Sequence, residues 1–316
     1  MKVIRVRQFG EPEVLVLEEA ADPVIGPGQV LLETRAIGVN PVETYIRAGK
    51  FAGVPLPWTP GSDAAGVVIA VGESVSQFRP GDRVFTFKTL SGSYATKVLA
   101  LAETVRKLPD NVSFEAGAAL GIAAATAYRA LLVRAGTKAG ETVLVHGATG
   151  GVGTVALQLA RAMGCTVIAS AGTDEGKKLA LELGANHVIN HGDVEQVMKL
   201  TDGRGVNVII EMLANQNLNK DLQMLAQSGR LVIVGSRGPI EIDPRLTMGK
   251  ETEIRGMMLS PATPGEVHGM YAALIAALAA GFLRIPIGKR IPLAEAPRAH
   301  REIIEGKALG KMVLVP

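Results

Sequence analysis

The sequence predicts an α/β protein of two architectures, a small twisted β-barrel-like domain and a doubly wound parallel sheet. Three observations carry that expectation. Through the first hundred or so residues, short apolar runs are separated by Gly, Pro and Asp. From Ser113 onward, strand-like and helix-like segments alternate, the pattern of a parallel sheet covered on both faces by helices. Within that second part, the apolar run beginning at Val143 stops at a glycine cluster ending at Gly153, and a helical pattern, Thr154 to Arg161, follows at once.

The elements follow in chain order. Met1 to Arg7 alternates apolar and charged residues, which suits an edge strand and not a secretion signal. Val14–Leu17, Val30–Thr34, Ala65–Ala70 and Arg83–Phe87 read as strands, bounded by Pro23, Pro27-Gly28, Pro60-Gly61 and Pro80-Gly-Asp82. Ser113 reads as the cap of a helix running toward Ala135. The alternation then runs Thr142–His146, Val152–Met163, Thr166–Ser170, Asp174–Leu183, His187–Ile189, Val194–Leu200, Val206–Ile210, Leu218–Ala226 and Leu231–Gly235. After about Leu259 come a long helix, Glu266–Ala280, a strand near Ile287–Ile291, a helix Ala294–Glu305 and a last strand, Lys311–Val315. A terminal strand must pair with something, and the N-terminal β domain is the expected partner. The expected division is therefore 1–115 for the first domain, 116–259 for the parallel-sheet domain, and 260–316 as a segment that returns to complete the first.

Composition narrows the function. A chain of 316 residues with 47% hydrophobic and 20% charged residues reads as a soluble globular protein. A net charge of +3 does not call for nucleic acid or an anionic membrane. The longest uncharged apolar runs, near 116–128 and 271–283, are too short to span a bilayer, so the cytoplasm is the expected location. The single cysteine, Cys165, excludes an internal disulfide and any multi-cysteine zinc site.

The glycine cluster points to a dinucleotide. Gly150, Gly151 and Gly153 let the backbone turn tightly, and the helix opening at Val152 turns free N–H groups and its positive dipole end toward an anion. Ala148 stands where the first glycine of G-x-G-x-x-G would be. The next strand, Thr166–Ser170, is expected to end beside the adenosine ribose, where an NAD site places an acid about 20 residues past the first glycine. Here Ser170 leads to Ala171, Gly172 and Thr173 with no acid, and Lys177 and Lys178 follow. A carboxylate would repel a 2′-phosphate and a lysine would attract it, so NADPH is the expected cofactor. Lys177 and Lys178 read equally as a solvated helix face.

Several stretches together resemble a known family: Gly38–Gly49, Thr59–Gly66, Val143–Gly153, Ile210–Asn215 and Val234–Gly238. The chain resembles, over essentially its whole length, the zinc-free quinone oxidoreductases of the medium-chain dehydrogenase/reductase superfamily, zeta-crystallin-like members above all. The resemblance implies a GroES-like β-barrel catalytic domain, a Rossmann domain inserted before its last piece, NADPH use, and a homodimer or homotetramer. Zinc alcohol dehydrogenases of the same superfamily carry a Cys where this chain has Asn40, and a Gly-His-Glu where it has Gly61-Ser-Asp63. No metal is therefore expected. The expected acceptor is already electron-poor: a quinone or, alternatively, an α,β-unsaturated carbonyl. An AU-rich RNA-binding side activity is implied for zeta-crystallin-like members, and no basic, aromatic-interleaved patch supports it here.

The resemblance also implies site residues. Asn40 bonds the nicotinamide ribose or substrate oxygen, or else simply holds the turn before Pro41. Tyr45 donates to a developing oxyanion, or else packs. Thr126 lies near the nicotinamide amide, and Ala123, Ala124 and Ala125 before it imply a roomier acceptor space. Gly235 and Ser236, at the end of a parallel strand, face the cofactor crevice. His191 lies at the adenosine end, and Lys311 reaches the cofactor.

Overall fold

In a computed structural model the chain is described for residues 1–306 and 309–316, and contacts divide it into two units: Met1–Ala123 with Leu274–Pro316, and Ala124–Ala273. In the first unit, β1 (Lys2–Arg5) and β2 (Val16–Glu19) form a two-stranded antiparallel ribbon of their own. β3 (Gln29–Gly38), β4 (Ala64–Val71), β5 (Arg83–Thr86), β6 (Lys97–Leu101) and β7 (Val105–Lys107) belong to a larger antiparallel sheet organised around β3. Residues 29–33 of β3 pair with β6, and a strand from the far end of the chain takes over beyond them, as given below. Alternation explains the packing: Val30 and Leu32 of β3 point to one side, into a core with Val68, Phe78, Val84, Ala100 and Val105.

The second unit holds β8 (Thr142–Val145), β9 (Thr166–Ser170), β10 (His187–Ile189), β11 (Val206–Glu211), β12 (Leu225–Ile233) and β13 (Glu253–Gly256). Their order across the sheet is β10-β9-β8-β11-β12-β13 and every pair is parallel. That is the doubly wound order 3-2-1-4-5-6, with the switch in winding direction between β8 and β11. The strands are near-continuous apolar runs because both faces are covered, and Leu144, Ile168, Ile189, Ile209 and Leu231 share one core. The expected helix from Ser113 forms, with the Ser113 hydroxyl accepting from the Ala116 amide at 3.2 Å. It is not one regular helix: it passes through α-helical Phe114–Gly117 and Ala125–Tyr128 and π-helical Leu120–Ala124 and Arg129–Arg134.

The chain then returns to the first unit. β14 (Ile287–Pro292) and β15 (Lys311–Val315) pair in parallel, and Val313 and Leu314 of β15 pair with Gly38 and Ile37 of β3. Helix Ala296–Glu305 lays Ala296, Ala299 and His300 against the core with Ile4, Ile37 and Leu314. Among the described residues no helix is long and apolar enough to cross a membrane.

Candidate functional site

In the first unit the site is built on Asn40. It caps helix Pro41–Arg47 through a capping box: Asn40 and Glu43 stand three apart, and the Asn40 backbone N–H donates to Glu43 Oε2 at 2.9 Å. The Asn40 side-chain amide donates to Asp63 Oδ2 at 2.9 Å and to Glu43 Oε1 at 3.3 Å. Its carbonyl Oδ1 accepts from Lys311 Nζ at 2.5 Å, and Lys311 also donates to Val39 O at 2.7 Å. Asn40 is 2% exposed and Lys311 4% exposed. Both are interior groups here, bound to protein.

Behind Asn40 the network continues. Tyr94 donates to Glu43 Oε2 at 2.8 Å, and its hydroxyl lies 3.1 Å from His300 Nε2. The Ile122 amide donates to Asp63 Oδ1 at 2.9 Å. The backbone closes tightly here, since a Cβ on Gly121 would come within 2.1 Å of that oxygen. Burial, with the charge of Asp63 adding to it, pushes Glu43 up to about 7 against the hydrogen bonds it accepts. Burial pushes Asp63 up to about 6 despite the Lys311 ammonium and the bonds from Asn40 and Ile122. Burial lowers Lys311, opposed by Asp63 and Glu43, and holds His300 down at about 3, so that ring is neutral.

Tyr45 lies on the helix that Asn40 caps. It is half-buried, its ring has Lys50 Nζ 5.9 Å from its centroid, and its hydroxyl makes no hydrogen bond with the described residues. Of the three alanines expected to widen the acceptor space, Ala124 and Ala125 are wholly buried and Ala123 nearly so.

In the second unit the site gathers at the carboxyl edge of the parallel sheet. After β8 the chain passes through Gly147, in the left-handed region at φ +54°, to Gly150, which starts helix Gly151–Ala162 with no side-chain cap. Val152 and Gly153 lie in its first turn. A Cβ on Gly153 would sit 2.2 Å from Gly147 O, so only glycine lets turn and helix approach this closely. A helix of this length with open first-turn amides suits an anionic phosphate. After β12, Gly235 is likewise pressed on backbone, a Cβ there lying 2.5 Å from Met212 O, and the exposed Ser236 donates to Gly238 O at 2.9 Å. An open cavity of about 450 Å³ at this end of β12 is lined by Arg129, Val234, Gly235, Ser236, Met257 and Met258. Thr126 is buried in helix Ala125–Tyr128.

β9 ends at the buried Ser170, and Gly172 and Thr173 follow with no carboxylate. Thr173 caps helix Asp174–Glu182 by accepting from the Gly176 amide at 3.1 Å. Lys177, on that helix, forms a loose 4.0 Å ion pair with the exposed Asp174. His191 is exposed, with Nδ1 tethered inward to Ser170 Oγ at 2.9 Å.

Sequence reasoning missed the buried acids. Glu43, Asp63, Tyr94 and His300 come from four segments distant in sequence, as do His146, Ser170, Glu211 and Asp221. One signal was present. Ala214, Leu218, Asp221 and Leu222 are spaced as an apolar stripe, so Asp221 occupies a core position, and His300 does the same after Ala296 and Ala299.

Family models match along the chain: residues 26–154 fit the alcohol dehydrogenase GroES-like domain and residues 151–279 the zinc-binding dehydrogenase model. Human quinone oxidoreductase is 51% identical over 100% of this chain and 98% of its own length. The chain belongs to the quinone oxidoreductase family. The family lies within the medium-chain dehydrogenase/reductase superfamily and makes the chain an oxidoreductase, with a GroES-like domain and a Rossmann domain. The Escherichia coli quinone oxidoreductase, solved as a complex with NADPH, superimposes with a TM-score of 0.92 at 30% identity, covering 100% of both chains. A 2-haloacrylate reductase from a Burkholderia species is 33% identical over 98% of each chain.

Proposed function

We propose that this family member is an NADPH-dependent quinone reductase that works without a metal ion. The observation that carries the reading is the end of β9. Ser170 turns inward, Gly172 and Thr173 follow, and no carboxylate stands where one would repel a 2′-phosphate, while Lys177 and His191 lie on the same edge. The diphosphate would rest on the amides of Gly151, Val152 and Gly153, with Gly235 and Ser236 along the next strand end. NADPH, when bound, supplies a hydride. Tyr45 offers a free phenol to the acceptor oxygen, the group whose negative charge grows as the quinone is reduced. Asn40 and Lys311 act from the interior, fixing the start of the helix that carries Tyr45.

The residues at Asn40 do not suit a zinc ion. The side chain is a neutral amide, its nearest cation is the Lys311 ammonium at 2.5 Å, and thiol and imidazole ligands are missing from that spot. On the same reading the protein is a cytoplasmic homo-oligomer. β13, a short exposed strand at the edge of the parallel sheet with Ile254 and Met258 nearby, is a candidate for pairing between copies.

The test is steady-state oxidation of NADPH and of NADH with ortho- and para-quinones, before and after exhaustive chelation. Turnover with NADPH that survives chelation supports the reading, and loss of turnover on chelation overturns the metal-free part. A second reading, reduction of α,β-unsaturated carbonyls, has one observation in its favour, the 2-haloacrylate reductase among the relatives. Enones and alkenals in the same panel separate the two by kcat/KM.

A further inference from the structure

Beside the adenosine end of the glycine turn runs a row of side chains that hydride delivery does not itself require. Asp221 Oδ1 lies 2.8 Å from His146 Nε2, His146 Nδ1 lies 2.9 Å from Ser170 Oγ, and Ser170 Oγ lies 2.9 Å from His191 Nδ1. The first three residues are buried, and the row surfaces at His191. The outer nitrogen of His191 lies over Gly172, where a Cβ would come within 3.3 Å of Nε2. Lys220 Nζ would stand equally close to a Cβ on the neighbouring Gly192.

We propose that Asp221, His146 and Ser170 form an interior relay that holds His191 with Nε2–H outward, as a hydrogen-bond donor to the 2′-phosphate of NADPH. This rests on the NADPH reading above. It makes His146, Ser170 and Asp221 positioning residues for cofactor selection.

The argument is one of counting protons. A carboxylate only accepts, so His146 Nε2 carries a hydrogen toward Asp221. The Ser170 hydroxyl has a single proton and stands between two ring nitrogens. With His146 as imidazolium, His146 Nδ1–H donates to Ser170, Ser170 donates to His191 Nδ1, and His191 keeps its hydrogen on Nε2, facing out. With His146 neutral, the chain reverses, and a neutral His191 shows a bare lone pair that would face a phosphate oxygen. The surroundings favour the first arrangement. From β11, Glu211 Oε2 lies 3.6 Å from His146 Nε2, and from helix Ala214–Met224 come Asp221 and the uncharged Asn217, which donates to Glu211 at 3.1 and 3.2 Å. The Leu213 amide also donates to Glu211.

Burial, moderated by His146, pushes Glu211 up to about 7, and Asp221 Oδ2 is buried with no hydrogen-bond partner among the described residues. Asp221 Oδ1 at 2.8 Å and Glu211 Oε2 at 3.6 Å face the same buried ring nitrogen of His146, a setting that favours the imidazolium. Burial works against that charge, but Asp221 and Glu211 outweigh it and raise His146, while burial and the His146 charge lower His191. His146, Glu211 and Asp221 also have ligand-type atoms within 4.8 Å of one another, so a bound metal ion is the competing arrangement.

The experiment measures NADPH and NADH binding by calorimetry for wild type, Ser170→Ala, His191→Ala and the double variant. Each single change is expected to weaken NADPH by about tenfold, the worth of one hydrogen bond to a charged group, and to leave NADH unchanged. The double variant is expected to be no weaker than His191→Ala alone. Losses that multiply, or that fall equally on NADH, overturn the relay. Wild type with no preference for NADPH overturns the cofactor reading beneath it, whereas His191→Ala that binds NADPH as tightly as an NADPH-preferring wild type overturns the relay alone. Nitrogen-15 spectra of the ligand-free wild type give a readout free of folding effects: His191 protonated on Nε2 and His146 on both nitrogens is expected. The opposite tautomer of His191, or a stoichiometric metal ion that is lost in His146→Asn, overturns the proposal.

Discussion

Replacing Gly153 with alanine isolates the tight turn from every side-chain effect. The new Cβ would lie 2.2 Å from Gly147 O, 2.6 Å from Ala148 Cα and 2.9 Å from Ala148 C, all backbone atoms that no rotamer change can move aside. Turn and helix must separate by about 1 Å to restore ordinary contact, a degree of overpacking that costs about 1–3 kcal/mol. For a unit of this size that lowers Tm by roughly 3–10 °C. The same retreat carries the first-turn amides away from a bound diphosphate. Losing one charge-assisted bond weakens NADPH by about tenfold to a hundredfold. Differential scanning calorimetry with and without NADPH reads both effects. Gly269→Ala is the control, because Gly269 lies inside helix Pro264–Ala279 with nothing within 4 Å of its Cβ position. It is expected to gain about 0.5–1 kcal/mol from helix propensity alone. If Gly153→Ala melts with wild type and binds NADPH as tightly, the close approach of turn and helix is not what shapes this site.

Glu43→Gln tests the buried acids. The folded state holds a Glu43 proton up to about pH 7 that the unfolded state releases near 4.5. Its stabilisation is therefore complete below about 4.5 and lost as pH climbs to about 7, a change of about 3 kcal/mol. Urea midpoints from pH 4 to 8 should show wild type losing that much relative to the variant, and parallel profiles would count against a buried protonated Glu43. Lys311→Met leaves Asp63 without its cation and Asn40 Oδ1 without its donor, for a loss of about 3–5 kcal/mol. Adding Asp63→Asn should restore part of it in the same denaturation assay. Tyr45→Phe is expected to lower kcat toward quinones by about a hundredfold while NADPH affinity holds; an unchanged kcat would place the oxyanion donor elsewhere.

The parallel-sheet unit was legible because its signals are local. Alternating strands and helices repeat at short spacing, and the glycine turn sits where its strand and helix demand it. Boundaries drifted where local patterns were ambiguous. β12 begins at Leu225, inside what reads as the end of a helix, and the preceding helix starts at Ala214 instead of Leu218. β13 escaped notice because it is a short, mostly exposed edge strand, and β7 because it has three residues. The ends of the chain were readable only by logic: an apolar terminal strand needs a partner, and β15 finds it on β3.

The candidate site was legible in its outer residues and not in what stands behind them. Asn40, Tyr45, Gly153 and His191 belong to short motifs, and a motif can be read within one segment. Asp63, Tyr94, His300 and Lys311 meet through contacts spanning from 23 to 271 residues, and no periodicity reports such a meeting. Yet each buried group was conspicuous for one reason, a polar side chain in an apolar row. His146 ends the run Val143-Leu-Val, and Asp221 and His300 interrupt the core stripes of their helices. Burying an acid costs several kcal/mol unless it is matched donor for acceptor. In both units the matching partners converge on one residue: the buried Asn40 at the start of the Tyr45 helix, and the exposed His191 past the strand edge. An apolar core would fold as well or better. What it would lose is the fixed direction of an amide and an imidazole, and that direction is what the acids behind them maintain.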